Sequence, residues 1–103
     1  MEDVKLVFTK EEKMNCLKEI DKRLQKILYV YEKSLEDDNY DFRAFVYSVV
    51  IFLTSSDKLF DYGLVDIIVN INSILYTDMN KKQIRKIVLD SKHTIQQMKK
   101  EME

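Results

Sequence analysis

Glycine, proline and cysteine are almost absent from this chain. Its 103 residues include one Gly, no Pro and one Cys. Because β-hairpins usually need residues that tolerate positive φ or pre-set a turn, this scarcity makes a sheet protein difficult to build. The single cysteine, Cys16, cannot form an internal disulfide, so nothing points to an oxidising compartment. These absences favour a helical protein with a cytoplasmic location.

The residues that most enzymes and metal sites require are scarce as well. One His and one Cys, His93 and Cys16, cannot form a zinc site alone. A single glycine cannot build a phosphate-binding loop, and no nucleophile elbow is present. Asp61 and Asp66 form a carboxylate pair, but helix capping and solubility account for such residues where no cleft is indicated. We therefore expect no enzymatic activity, no cofactor and no metal.

The composition that remains is that of a globular protein. A hydrophobic fraction of 46% with 34% charged residues argues against disorder, and residues 1–103 have the length of one domain. The N-terminal segment MEDVKLVF lacks the cationic start of a signal peptide. The most apolar stretch, RAFVYSVVIFL, is well short of the roughly 20 residues that cross a bilayer. We expect a single domain with no transmembrane segment.

The first helix is predicted from Lys10 to about Glu36. Thr9 and Glu12 match a capping box, in which each side chain accepts a backbone N–H of the other residue. After this helix, Asp38 or Asn39 is suited to cap the next one. The apolar stripe of helix 1 follows spacings of three and four: Met14, Leu17, Ile20, Leu24, Ile27, Leu28, Tyr31 and Leu35.

Helix 2 is predicted from about Tyr40 to Thr54, over the apolar stretch. Its valines and aromatics also suit a strand, and periodicity alone does not decide between the two. The stretch neither alternates nor has turn signals at hairpin spacing, and a lone strand would leave its backbone groups unpaired. A helix that is apolar nearly all round belongs in the middle of a bundle, so we expect helix 2 to be central.

Helix 3 follows a connection over Thr54 to Lys58, in which Ser56 and Asp57 are candidate caps. Gly63 either interrupts this helix or ends a short turn over Lys58 to Tyr62, and we favour a break there. The apolar face predicted for helix 3 consists of Leu64, Ile67, Ile68, Ile71, Ile74 and Leu75.

Helix 4 is predicted to run from a cap at Asp78 or Asn80 to the C-terminus, with Gln83 in capping-box position relative to Asn80. Its two terminal methionines would make the end of its apolar side flexible and adaptable. We use the name helix 4 seam for its heptad-spaced residues Ile84, Val88, Ser91, Ile95, Met98 and Met102.

Charge is distributed unevenly along the chain. Between Lys81 and Lys100 there are seven Lys or Arg residues and one acid, Asp90, whereas the whole chain has a net charge of −1. A basic helix can bind an acidic protein or nucleic acid, or it can be a solvated face that pairs with acids on helix 1. The residues predicted to bind a partner are Lys81, Lys82, Arg85, Lys86, Lys92, Met98, Lys99 and Met102.

The segments YEKSLEDDNY and DKLFDYGLVDIIVNINSIL, with an apolar helix between them, resemble the bacteriocin immunity proteins of Gram-positive bacteria. The resemblance covers roughly Lys26 to Leu75. It implies a cytosolic antiparallel four-helix bundle that recognises a bacteriocin-occupied membrane receptor, a sugar phosphotransferase permease, from the cytoplasmic side. It also implies that specificity lies from Leu64 onward. Members of that family often end in a flexible tail, whereas here a capped helix is predicted to the end.

The sequence thus predicts an all-α, antiparallel four-helix bundle with an apolar central helix 2. Its expected function is protein interaction, with bacteriocin immunity as the narrower version. The alternative is a small phage- or plasmid-type nucleic-acid-binding regulator that uses basic helix 4. A helix-turn-helix with helix 3 as recognition helix is disfavoured, because that helix would present Asp66, Asn70 and aliphatic residues to the bases. Helix 4 could also be a dimerisation seam, so a monomer or weak homodimer is expected.

Overall fold

The computed structural model describes residues 8–103, and all regular structure in this range is helical. The predicted all-α class is confirmed. The expectation that the N-terminal segment MEDVKLVF is not a signal peptide concerns mainly residues 1–7, which lie outside the described residues. The helices are α1 (Lys10–Ser34), α2 (Phe42–Ser56), α3 (Val65–Tyr76) and α4 (Lys81–Met102), with a short 3-10 helix (Asp57–Phe60) directly after α2.

Both predicted capping boxes are present. At the start of α1 the Thr9 hydroxyl accepts the Glu12 N–H at 3.0 Å, while the Glu12 carboxylate accepts the Thr9 N–H at 3.5 Å. At the start of α4 Asn80 and Gln83 make the same reciprocal pair, both at 2.9 Å. The short-range sequence signals therefore located these two helix starts correctly.

The start of α2 differs from the prediction. Asp41 caps it by accepting the Ala44 N–H at 3.0 Å, so the predicted caps Asp38 and Asn39 were wrong. Asn39 is instead part of a turn in which its N–H is accepted by the Asp37 carboxylate at 2.9 Å. As a result α1 ends at Ser34 and α2 occupies Phe42–Ser56, each about two residues from its predicted boundary.

The predicted break at Gly63 is confirmed, in the turn that joins the 3-10 helix to α3. Asp61 and Tyr62 have positive φ values of 52° and 65°, whereas Gly63 does not. The glycine is required for space, because a Cβ at Gly63 would lie 2.9 Å from the Phe60 carbonyl oxygen. The candidate cap Asp57 is 7% exposed, and its carboxylate accepts the Leu64 N–H at 2.9 Å.

Apolar residues from all four helices form one core. The packing follows a ring, in which α1 contacts α2 and α4 while α3 contacts the same two helices. This packing is compatible with a helical bundle. The core consists of Leu17, Ile20, Leu24, Ile27, Val46, Val49, Leu53, Leu64, Ile67, Ile71, Ile74, Ile84, Val88 and Ile95.

Helix α2 is not enclosed by its neighbours, which corrects the expectation of a central apolar helix. Val49 and Leu53 are fully buried, but Tyr47 is 58% exposed and Ile51 is 49% exposed. In a ring of four helices each helix gives one stripe to the shared core and keeps an outer side in water. The apolar residues on the outer side of α2 therefore remain in contact with solvent.

Among residues 8–103, no helix combines the length and the apolar composition that crossing a bilayer requires.

Candidate partner-binding surface

The described part of the chain has no group of three or more His, Cys, Asp or Glu side chains that could hold a metal ion. His93 is exposed on α4, and Cys16 is a half-buried free thiol on α1. The surfaces that the helices present to solvent are the candidate sites that this part of the chain offers.

A groove of about 410 Å³ lies at the end of the bundle where α2 begins and α3 ends. Its walls include Tyr31, Phe42, Tyr76 and Met79, with Arg43 as the cation at its edge. The Arg43 guanidinium already donates to the Leu75 carbonyl at 2.7 Å. Ligand sites normally direct a few polar groups towards the ligand, and here the strongest donor is engaged by the backbone.

Helix α4 has a buried side and a basic side. Ile84, Val88, Ser91 and Ile95 of the helix 4 seam are each at most 1% exposed, so this part of the seam packs inside the bundle. It therefore does not provide the dimerisation seam that the heptad spacing suggested, because heptad-spaced residues that are buried within one chain are not accessible to a second.

The outward side of α4 carries three exposed cations followed by an exposed leucine. Lys82, Arg85, Lys86 and Leu89 follow one another at steps of three, one and three residues, which places them on one face of the helix. None of the three cations pairs with a carboxylate of residues 8–103. We call these four residues the basic face. Leu89, which the sequence did not single out, is 48% exposed at its C-terminal end, next to Asp90.

Two of the predicted partner-binding lysines contact α1 instead. Lys81 contacts the Glu32 carboxylate at 2.5 Å. This hydrogen bond lowers the pKa of Glu32, and the charges of Lys81, Arg85 and Lys33 act in the same direction. Lys92 donates to the Gln25 amide oxygen at 2.5 Å and lies 3.9 Å from Asp21. The solvated-face alternative, in which basic residues pair with acids of helix 1, is therefore correct for these two lysines.

The three remaining predicted residues lie near the end of α4. Lys99 is half-buried, and Met98 and Met102 are partly buried against the core. The methionines therefore extend the buried side of α4 rather than forming a freely exposed end. Of the eight predicted residues, the structure brings Lys82, Arg85 and Lys86 together on one free face.

A second surface was missed at the level of sequence. It lies on the outer sides of α2 and α3, and we call it the apolar face. Long apolar runs are normally buried, so the sequence predicts that the members on α2 belong to the core and gives no signal for those on α3. The signal that could have indicated this surface is the lack of charge, because α2 and α3 contain one charged residue each, Arg43 and Asp66. The apolar face consists of Tyr47, Ile51, Val65, Val69 and Tyr76.

The chain matches no family model, and comparisons with curated proteins and with solved structures found no match.

Proposed function

We propose that this chain is a non-enzymatic, cytosolic interaction module that binds an acidic protein partner through the basic face of α4. The observation that carries the proposal is that Lys82, Arg85, Lys86 and exposed Leu89 lie on one side of a helix whose opposite side is buried in the core. Cations steer an acidic partner and fix its orientation, and an apolar residue among them supplies contact area that excludes water.

A protein partner is favoured over nucleic acid by the composition of this surface. Lys81 and Lys92 are engaged with α1, which leaves three clustered cations rather than a basic stripe along the whole helix. Nucleic-acid binding depends mainly on the number of phosphates that cations neutralise, and the chain as a whole carries a net charge of −1. Leu89 also has no role in phosphate binding.

The direction of the helices and the narrower function of immunity are part of the same proposal. We propose that neighbouring helices run antiparallel. The support is that Lys81, at the start of α4, contacts Glu32 near the end of α1, whereas Lys92 contacts Gln25, further towards the start of α1. An antiparallel bundle is also what the resemblance to bacteriocin immunity proteins implies. Immunity is therefore the narrower version of this function, with a bacteriocin-occupied receptor as the partner.

Charge reversal tests the basic face. The variant Lys82→Glu, Arg85→Glu, Lys86→Glu should lose capture of its partner in affinity purification with quantitative mass spectrometry. The matched control is Lys10→Glu, Lys18→Glu, Lys22→Glu, which makes the same change in net charge at exposed positions of α1. The proposal is wrong if both variants retain the same partners as the wild-type chain, or if both lose them equally.

Two further measurements separate the alternatives. A mobility shift with DNA or RNA that weakens steeply with salt, and that the α4 variant alone abolishes, would assign the basic face to nucleic acid. For the immunity version, the wild-type chain and the α1 control should protect a bacteriocin-sensitive Gram-positive host, while the α4 variant should not. No protection by the wild-type chain against a panel of bacteriocins removes that version and leaves the broader proposal to the capture experiment.

A further inference from the structure

The basic face contains a shallow depression. Its volume is about 450 Å³, and it is formed by side chains of α4 alone, namely Lys82, Gln83, Arg85, Lys86, Leu89 and Asp90. Long basic side chains keep their charged heads in water while their aliphatic stems cover apolar surface. The depression is therefore lined by these stems and by Leu89, with the cationic heads at its rim. Such a surface suits a bulky apolar side chain that has carboxylates beside it.

Charge is distributed asymmetrically around this depression. The three cations of the basic face precede Leu89 along α4, whereas Asp90 directly follows it. With a helical rise of about 1.5 Å per residue, Lys82 and Asp90 lie roughly 12 Å apart along the helix axis. Asp90 is exposed, and its carboxylate pairs with no cation in the part of the chain that the structure describes. One end of the depression is therefore basic and the other end is acidic.

We infer that the basic face binds an acidic amphipathic helix of the partner whose carboxylates all lie on one side of a bulky apolar anchor. The anchor enters the depression beside Leu89, and the carboxylates pair with the cations that precede it. A helix is favoured because Arg85 and Lys86 lie three and four residues after Lys82, a spacing that a helix packed alongside α4 can match. A carboxylate on the other side of the anchor would meet Asp90, and juxtaposed like charges reject such a partner.

Two features of the bundle strengthen the basic end of the depression. The backbone N–H groups at the start of α4 give that end a partial positive charge, which favours carboxylates near Lys82 in the first turn. Glu32 of α1, which lies at the same end, is paired with Lys81 and therefore does not neutralise the free cations. The order of charges rests on the proposed function, because it concerns the same face, and it narrows the class of acidic partner.

NMR titration of the isotope-labelled full chain with synthetic helical peptides at low salt tests the order of charges. One-sided peptides carry three glutamates either all before or all after a single tryptophan, and the tighter of the two is compared. The two-sided peptide has the same composition, with glutamates within one turn before and after the tryptophan. The one-sided peptide should bind α4 at least about threefold more tightly than the two-sided peptide. A peptide with glutamine in place of glutamate should bind at least about tenfold more weakly.

Substitutions in the chain assign the discrimination to particular residues. Asp90→Asn removes the repelling charge, so the two-sided peptide should then bind as tightly as the one-sided peptide. Asp66→Asn, a matched change at an exposed position of α3, should leave the discrimination as it is in the wild-type chain. Leu89→Gln should weaken binding of the one-sided peptide about fivefold, because the anchor loses its apolar contact.

Equal affinity of the two acidic peptides for the wild-type chain overturns the inference, and so does discrimination that persists in Asp90→Asn. Anionic lipid vesicles that shift the α4 amides when no acidic peptide does assign the face to lipid and overturn it as well. The proposed function is read separately, from partner capture by the variant with Lys82, Arg85 and Lys86 reversed. Loss of capture in that variant together with equal peptide affinities removes the order of charges and leaves the proposed function standing.

Discussion

Helices α1 and α4 contrast with α2 and α3 in what they present to solvent. Twelve of the 25 residues of α1 and nine of the 22 residues of α4 are charged, whereas α2 and α3 have one charged residue each. All four nevertheless contribute fully buried aliphatic residues to one core. The difference between the two pairs therefore concerns their outer surfaces, which are charged on α1 and α4 and mostly uncharged on α2 and α3.

The largest effects are expected from core substitutions, which test whether the pair α1 and α4 and the pair α2 and α3 depend on the same core. Ile20→Ala in α1 and Ile71→Ala in α3 should each lower the free energy of unfolding by about 2–5 kcal/mol, because each removes a fully buried side chain and leaves a cavity. Urea unfolding monitored by circular dichroism measures this. Leu89→Ala, at an exposed position, should change stability by no more than about 0.5 kcal/mol. A small effect at Ile71 beside a large one at Ile20 would mean that the two pairs unfold separately.

Asp57 is the polar exception on the uncharged side, and its removal should have the next largest effect. Asp57→Ala should destabilise the chain by about 1–3 kcal/mol, since the buried Leu64 N–H would lose its acceptor. Asp57→Asn should cost less because the amide oxygen can still accept, and exposed Lys58→Ala serves as the control. The same chemical denaturation experiment applies. Equal effects at positions 57 and 58 would show that the hydrogen bond to α3 has no energetic role.

In the turn between α2 and α3, one substitution should stabilise the chain and another should destabilise it. Tyr62→Gly should stabilise the chain by about 0.5 kcal/mol, because the relief of positive φ outweighs the greater freedom of glycine in the unfolded state. Gly63→Ala should destabilise it, because the new methyl group would lie too close to the Phe60 carbonyl oxygen. Melting temperatures of the two variants should therefore move in opposite directions, and a shift in the same direction would contradict this description of the turn.

The smallest effect on stability is expected on the charged side, from loss of the ion pair between Lys81 and Glu32. Because the folded-state pKa of Glu32 is lowered, its pairing contributes stability at neutral pH that is lost as the pH falls through that folded pKa. Lys81→Met should return the pKa of Glu32 towards its ordinary value and flatten the acid dependence of stability. An NMR titration of the Glu32 carboxyl group measures the shift. Lys82→Met, on the outward side of α4, should leave the titration almost unchanged.

Local signals in the sequence predicted the features that depend on neighbours along the chain. The capping boxes at Thr9 and Asn80 were located correctly because both partners of each pair are three residues apart. The buried stripes of α1 and α4 followed from spacings of three and four, except that Leu35, predicted in the α1 stripe, is 68% exposed because α1 ends at Ser34. Asp41 was not identified as a cap, since Asp37 to Asp41 contains several residues that can cap and their competition is decided by how the turn packs.

Features that depend on contacts between helices could not be predicted in the same way. Lys81 and Lys92 look the same in sequence as Lys82 and Lys86, and only the rotation of α4 against α1 assigns the first two to Glu32 and Gln25. Likewise, no sequence pattern showed that Asp57 would reach the Leu64 N–H seven residues away.

The amino-acid sequence by itself determined the helical class, two of the helix starts and most of the buried residues of α1, α3 and α4, because propensity, capping and hydrophobic periodicity act within a few residues. The tertiary structure alone decided which outer surfaces remain available. A ring of four helices buries one stripe of each, and the orientation of each helix against its neighbours leaves Tyr47, Ile51 and Val69 in solvent while it pairs Lys81 and Lys92 with α1. Burial in a bundle is a property of the assembled helices, so the composition of α2 indicated its apolar character but not which side of it would be covered.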